Sequence, residues 1–462
     1  MALAASLTLA DVAQALAVPA PAGTSATALS SVSIDSRTLA PGALFVAIAG
    51  PHFDGHQFLA QARERGAAAA VVHRDVEGAG LPLLRVDDTT RALAGLASAV
   101  RAAAAIPVAA ITGSAGKTTT KEMTAGLLRT RGAVLKTEGN LNNQYGLPLT
   151  LLRLTPEHRF AVLELGMSAA GELRALTRIA RPDAAVITLV APVHLEFFPS
   201  LDAIADAKAE ILEGLGPGGV AVLNGDDPLV RRIGQRHAGP VVWFGRDRAF
   251  DVSAERWRGT VHGMRFDLHL DGRSVDVALP FAGPHHLTNF LGAAAVARHF
   301  GLDAEAIAAA APSLQPASHR GQVRRLRTGV TLLDDCYNSN PVAVDAAVTA
   351  LSLSAPGRRV AFLGDMRELG DTSEALHREV GRTVGPRLDV IAAVGPLAAS
   401  FLAGAREGDR VPAELLAFPD AATAAAAVEL VQPGDSVLVK GSRGVKLEAV
   451  VDALVARLGE EG

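Results

Sequence analysis

Residues Ile111 to Thr120 read ITGSAGKTTT. Two glycines ahead of a lysine and a hydroxyl residue are the composition that phosphate chemistry needs. Glycines let successive backbone N–H groups curl around an anion, and a helix N-terminus behind them adds partial positive charge. Lys117 can then reach β- and γ-phosphates, and the Thr118 hydroxyl can ligate Mg2+. Gly113, Ser114, Ala115, Gly116, Lys117, Thr118 and Thr119 are therefore the candidate triphosphate-binding residues. The spacing departs from the general phosphate-binding loop, which has a glycine five residues before Gly116, where this chain has Ile111. An ordinary glycine turn is the plain alternative. The strand-like IPVAAIT before the loop and the helical KEMTAGLLRT after it favour nucleotide binding.

Three further residues carry metal chemistry if they meet. Glu164 ends the apolar run FAVLE, His194 follows VITLVAPV, and Lys208 comes fourteen residues later in the helical AIADAKAEIL. A carboxylate and an imidazole suit a divalent cation beside a triphosphate, although Mg2+ favours oxygen ligands. Taken singly, Glu164 reads as a helix cap, His194 as a satisfied histidine at a strand end, and Lys208 as a solvated helix residue. Lysine is scarce in this chain, with six among 44 basic residues: Lys117, Lys121, Lys136, Lys208, Lys440 and Lys446. A retained lysine among so many arginines marks a place where a compact, titratable ammonium is needed, or else reflects drift in codon usage.

These residues must be held by a large, divided scaffold. At 462 residues, 49% hydrophobic and 20% charged, the chain is long enough for about three domains. A first block, residues 1–105, mixes short apolar runs with turns and ends in TTRALAGLASAVRAAAA, which reads as a small α/β domain and a linking helix. The second, 106–312, alternates strand-like runs (IPVAAIT, FAVLELG, AAVITLV, VAVLNGD) with helical ones, the rhythm of a parallel mononucleotide-binding sheet with ligands at the strands' carboxyl ends. Residues 241–279 alternate apolar and polar and read as added antiparallel strands. The third, 313–462, repeats the βα rhythm and reads as a Rossmann-like, doubly wound domain. A formal net charge of −4 gives no overall field for nucleic acid or an anionic membrane. The N-terminal MALAASLTLADV lacks the basic region of a secretory signal, and later uncharged stretches are too interrupted for a membrane span. With Cys336 the single cysteine, no internal disulfide forms. A cytoplasmic protein, monomeric, with neither nucleic acid nor membrane insertion, is the expectation.

Seven segments, TGSAGKTTTKE, GNLNNQYGLPLTLL, LELGMSAAGEL, APVHLEFFPSLDAIADAKAEI, LLDDCYNSNP, GDMRELG and VKGSR, in that order along the chain, resemble the Mur ligases of peptidoglycan assembly. The short TGxxGK[ST] loop is that family's form. Within the family, the DDCYNSNP, GDMRELG and VKGSR segments are most similar to members that add D-alanyl-D-alanine to UDP-N-acetylmuramoyl-tripeptide. The resemblance implies three α/β domains and an ATP-dependent amide-bond-forming ligase. The tripeptide carboxylate attacks the γ-phosphate to give an acyl phosphate, and the dipeptide amine then displaces phosphate.

The resemblance also assigns residues. Lys117 and Thr118 hold the triphosphate and Mg2+, Glu164 and His194 hold magnesium, and Lys208 reacts with CO2 to become a carbamate, an anionic ligand in place of a cation. Asn289, in GPHHLTN, falls on an adenine contact; beside it the family's histidine-asparagine pair reads His285-His286. Arg320 and Asp335 fall on C-terminal residues that close over the nucleotide, with SHRGQ departing from the commoner glycine-arginine order. Ser36 and Arg37, in VSIDSRTLAPG, match the uridine-diphosphate-binding part, where a polar turn is the plain alternative. Asn142 and Asn143 match a substrate-contacting loop. A ligase adding the third peptide residue and a folylpolyglutamate synthetase are the rivals within the fold. No DNPR-like segment points to the former, and about a hundred residues preceding the loop count against the latter. A regulatory phosphate-loop protein would explain the loop but not Glu164, His194 and Lys208 together.

Overall fold

The computed structural model describes residues 7–50, 53–193, 195–353 and 357–461. Three sheets carry nineteen strands among the described residues. Strands β1 (Val32–Ser33), β2 (Leu44–Val46), β3 (Ala69–Val72) and β4 (Leu83–Arg85) form a parallel sheet in sequential order. The largest sheet holds β5 (Val108–Thr112), β6 (Ala133–Lys136), β7 (His158–Glu164), β8 (Ala184–Ile187), β9 (Val220–Asn224), β10 (Val241–Gly245), β11 (Val252–Thr260), β12 (Gly263–Leu270) and β13 (Arg273–Leu279). Its order is β13-β12-β11-β10-β9-β8-β5-β7-β6. The C-terminal sheet, in the order β14-β15-β19-β16-β17-β18, is built of β14 (Gln322–Arg325), β15 (Thr331–Asp334), β16 (Arg359–Gly364), β17 (Val390–Val394), β18 (Glu414–Phe418) and β19 (Ser436–Lys440).

The chain divides into two compact units, residues 1–112, 128–186 and 207–221 in one, and 113–127, 187–206 and 222–462 in the other. In the first, β5 pairs parallel with β7 and β7 with β6, and every residue of β5 is buried. A run of buried apolar residues with no polar alternation is the signature of a strand covered on both faces. The helix Thr89–Ala103 starts where Asp88 accepts from the N–H groups of Thr90 and Arg91. It buries Leu93, Leu96, Ala97 and Val100 at helical spacing, and it packs on the helices Gly146–Leu151 and Glu172–Ala180. Arg101 on that helix donates to the carbonyls of Ala180 and Arg181, satisfying a helix end that would otherwise be left open.

In the second unit, β11, β12 and β13 form the expected antiparallel meander, while β10 joins β11 in parallel. The helix Pro284–His299 begins with proline at its first turn and is buried almost all round, so it shows no polar stripe. The C-terminal sheet is parallel from β15 through β18, with β14 antiparallel at its edge. Along its strands alternate side chains enter separate cores. Leu333, Ala361, Leu363, Ile391 and Leu438 go to one, and Leu332, Val360, Phe362, Val390 and Val437 to the other.

Candidate nucleotide and ligase site

The glycine loop is shaped by close approach. Gly113 has φ +148°, and a Cβ there would sit 1.8 Å from Thr188 Oγ1; Gly116 has φ +82°, and its Cβ would sit 2.3 Å from Asn289 Oδ1. Both positions thus exclude a side chain on two counts, backbone conformation and space. The loop is clamped besides. Thr188 Oγ1 donates to the Ala115 carbonyl at 2.6 Å. Ser114 N–H donates to the Leu189 carbonyl, and the Ser114 hydroxyl donates to Ala191 O while accepting from Ala191 N–H. The Lys117 ammonium donates to the Gly113 carbonyl at 2.8 Å, which holds it folded over the loop it would share with a phosphate. Thr118 and Thr119 are buried at the start of the helix Lys117–Leu128, and the Thr120 hydroxyl lies 3.4 Å from Asn289 Oδ1. Loop backbone, lysine, hydroxyl and helix N-terminus together make a cradle that fits a triphosphate.

Sequence reading singled out Asn289 but not Thr188. The signal for Thr188 in the sequence is a lone hydroxyl residue inside the apolar run AAVITLV, a weak cue. Beside Asn289 on the same helix, the rings of His285 and His286 lie 4.0 Å apart, and His286 packs edge-on against Phe281. Among the described residues, His286 Nδ1 has no hydrogen-bond partner. Burial holds both imidazoles neutral, His285 down to about 4 and His286 well below its ordinary value. A Cβ on Gly321, whose φ is +72°, would lie 2.7 Å from His286 Nε2, so the larger ring at position 286 is accommodated by a glycine.

Three of the seven segments meet at the carboxyl ends of neighbouring parallel strands, where open α/β sheets place their ligands. Asp335 follows β15, Asp365 follows β16 and Lys440 ends β19. The Lys440 ammonium, buried, donates to the Asp335 carboxylate at 2.6 Å and to the Asn338 carbonyl at 3.0 Å. Arg367 N–H donates to the Ser442 hydroxyl, and Ser442 N–H to the Asp365 carbonyl, joining GDMRELG to VKGSR. Burial raises the Asp365 carboxyl above its usual range. The Arg320 guanidinium stacks 4.2 Å over the Tyr337 ring, on whose centroid Arg443 also bears at 5.3 Å. Lys440 and Tyr337 lie inside the VKGSR and LLDDCYNSNP segments, and the scarcity of lysine is the signal in the sequence that marks the first.

In the other unit, Glu164 is only 3% exposed at the end of β7. Its carboxylate accepts from Asn142 Nδ2 at 2.9 Å and its N–H donates to the Thr137 hydroxyl. Asn142 in turn receives Gly166 N–H on its carbonyl. Asn143 is exposed, and its side-chain oxygen accepts from the N–H groups of Tyr145 and Gly146, turning the chain into the next helix. Lys208, on the helix Leu201–Ala209, is 1% exposed, which excludes the solvated-residue reading. Two residues on, the buried Glu210 accepts from the N–H groups of Gly171 and Arg174, at the start of the helix Glu172–Ala180. The Ser36 hydroxyl is buried and donates to Gln61 at 2.6 Å. Arg37 is held in a two-pronged pair with Asp35 at 2.8 and 2.9 Å while its side chain stays 79% exposed. Hydrogen bonds from Arg37 hold the Asp35 carboxyl below the usual range. His194 lies outside the described residues.

Three family descriptions match the sequence: "Mur ligase family, catalytic domain" over residues 28–101, "Mur ligase middle domain" over 111–297, and "Mur ligase, glutamate ligase domain" over 319–443. The UDP-N-acetylmuramoyl-tripeptide–D-alanyl-D-alanine ligase of Escherichia coli is 40% identical over 436 residues, covering 92% of this chain and 94% of that protein. The crystal structure of MurF from Acinetobacter baumannii superposes with a TM-score of 0.88 at 33% identity, over 98% of this chain and 99% of that one. The MurF ligase of Thermotoga maritima in complex with ADP gives 0.81 at 31% identity, over 92% and 96%.

Proposed function

The chain belongs to the Mur ligase family, and on that premise we infer that it joins D-alanyl-D-alanine to the terminal carboxylate of UDP-N-acetylmuramoyl-tripeptide with consumption of ATP, in peptidoglycan precursor synthesis. The single observation that carries this is the clamped glycine loop, Gly113 to Lys117, in a chain that matches such ligases over nine-tenths of its length.

In this reading, ATP supplies the phosphoryl group that turns a poor acyl donor into an acyl phosphate, and Mg2+ offsets the charge that moves during transfer. The chain's own residues do the holding. Loop N–H groups between Gly113 and Thr119, apart from that of Ser114, which is bonded to Leu189, would cradle the phosphates, and Lys117 would move from the Gly113 carbonyl to them. By the resemblance, Thr118, Glu164, His194 and Lys208 would hold the metal. Lys208 is read as a carbamate, formed when its neutral amine adds to CO2 with loss of a proton. Its burial, at 1% exposed, supports a role inside the site rather than in solvent. Asn142 orients Glu164 through the bond at 2.9 Å. Asn289, Arg320 and Asp335 are assigned to the nucleotide, Asn142 and Asn143 to the peptide substrate, and Ser36 and Arg37 to the uridine diphosphate. Catalysis is then positioning with electrostatic stabilisation. The protein acts as a cytoplasmic monomer on small-molecule substrates, without nucleic acid; among the described residues no helix is long and apolar enough to cross a membrane.

The test is a substrate panel. Phosphate release must require both the UDP-linked tripeptide and D-alanyl-D-alanine; release with a dipeptide substrate and a single amino acid, or with a folate, would reassign the chain within the fold.

A further inference from the structure

His319, Asp334 and Cys336 form a cluster that the ligase reaction does not use. His319 Nδ1 donates to Asp334 Oδ2 at 2.8 Å, and the Cys336 thiol donates to Asp334 Oδ1 at 3.2 Å. The three potential ligand atoms lie within 4.8 Å of one another. Asp334 and Cys336 are fully buried, whereas the His319 side chain is 29% exposed, so the cluster has a closed floor and one side open to solvent. His319 holds a left-handed φ of +59°, which aims its ring at the end of β15.

We propose that His319 Nδ1, the Asp334 carboxylate and Cys336 Sγ form a binding site for a single zinc-like transition-metal ion, with a water at the open fourth position. The donor set selects the ion. Thiolate and imidazole together favour Zn2+ or Co2+, while the hard Mg2+ of the nucleotide reaction prefers oxygen ligands, does not favour a thiolate and keeps its waters. The geometry is close to what is needed. Zinc bonds of about 2.0–2.3 Å in a tetrahedron put ligand atoms roughly 3.3–3.8 Å apart, so the His319–Asp334 and Cys336–Asp334 pairs, at 2.8 and 3.2 Å, part by less than ~1 Å to admit the ion. Binding replaces the two internal hydrogen bonds: the Cys336 proton leaves to solvent, and the His319 ring, ligating through Nδ1 as a neutral imidazole, carries its proton on Nε2 instead. Burial and the neighbouring Asp334 charge hold that thiol protonated without metal, so the ion must displace the proton.

The site also has a mechanical consequence. The His319 carbonyl accepts from Tyr337 N–H at 3.1 Å, Arg320 stacks on Tyr337, and Asp335 is tied to Lys440. A metal bridging positions 319, 334 and 336 therefore fastens together the two segments that carry Arg320 and Asp335.

Because Cys336 is the single cysteine, any thiolate-to-metal signal has one possible source. The full chain, reduced and stripped with chelator, is titrated with Co2+ alone in the presence of excess Mg2+. The expected result is one equivalent bound, with tetrahedral visible absorption and a near-ultraviolet thiolate-to-Co2+ charge-transfer band. Zn2+ abolishes both and raises Tm. Cys336→Ser removes the charge-transfer band and the Tm response, and its melting curve without metal checks that it folds. His319→Asn, which keeps the left-handed backbone, weakens Co2+ binding by about tenfold or more. Absence of the charge-transfer band in the unsubstituted protein overturns the site and leaves a hydrogen-bonded trio. A band whose midpoint is unchanged in His319→Asn overturns the three-ligand assignment. None of these readouts depends on ligase activity.

Discussion

The glycine loop, proposed for a triphosphate, and the Ser36–Arg37 turn, proposed for a diphosphate, are built in opposite ways. In the loop, backbone and neighbours leave no freedom: a Cβ on Gly113 or Gly116 would fall within 2.3 Å of Thr188 or Asn289, and Ser114 is bonded to residues 189 and 191. At the turn, Ser36 is anchored to Gln61 but Arg37 lies in solvent, paired among the described residues only with its near neighbour Asp35. The difference teaches that a rigid cradle made of N–H groups is prepaid in folding, whereas an exposed guanidinium must exchange one carboxylate for its ligand when binding occurs. The loop should therefore govern turnover, and the turn should govern affinity.

The largest effect expected is for Lys117→Ala, which removes the charge that follows the transferred phosphoryl group. Turnover in steady-state phosphate release should fall by about 10³-fold with the melting curve unchanged. Near-normal turnover in a folded variant would break the contrast outright. Lys208→Ala should be nearly as severe, by about 10²–10³-fold. Addition of a short-chain carboxylic acid should restore part of the activity by filling the vacated ligand position; inactivity without rescue would keep the metal role and drop the carbamate.

Smaller changes sharpen the comparison. Gly116→Ala forces a left-handed alanine against Asn289, a strain of about 1–3 kcal/mol, and should weaken ATP binding by about five- to a hundred-fold by calorimetry. An unaltered affinity would mean the loop is not preformed in solution. Asp335→Asn leaves the Lys440 ammonium buried without its counter-charge, and about 3 kcal/mol should be lost in denaturant unfolding. Smallest is Arg37→Ala. Its melting temperature should match the parent because the side chain is exposed, while KM for the UDP-linked substrate rises several-fold at constant kcat. A drop in kcat instead would place Arg37 on the same footing as the loop.

What could be read from the sequence follows the range of the forces involved. Strand β5, the glycine loop and the helix after it were legible because each rests on neighbours in the chain: an unbroken apolar run, two glycines required by backbone shape, a helix at the loop's end. The antiparallel meander of β11 to β13 was legible from its alternation. The resemblance supplied Glu164 and Lys208, whose burial at 3% and 1% their sequence surroundings do not announce. Other contacts came only with the tertiary structure. Asp335 and Lys440 are 105 residues apart and meet because β15 and β19 are neighbours in a parallel sheet. Thr188 fills the space that Gly113 leaves, and His319 reaches Asp334 across a left-handed backbone. Local propensity determined the elements and the phosphate loop. Strand order, which depends on summed burial over the whole sheet and leaves no mark at any single residue, decided which charges face one another at the strands' carboxyl ends.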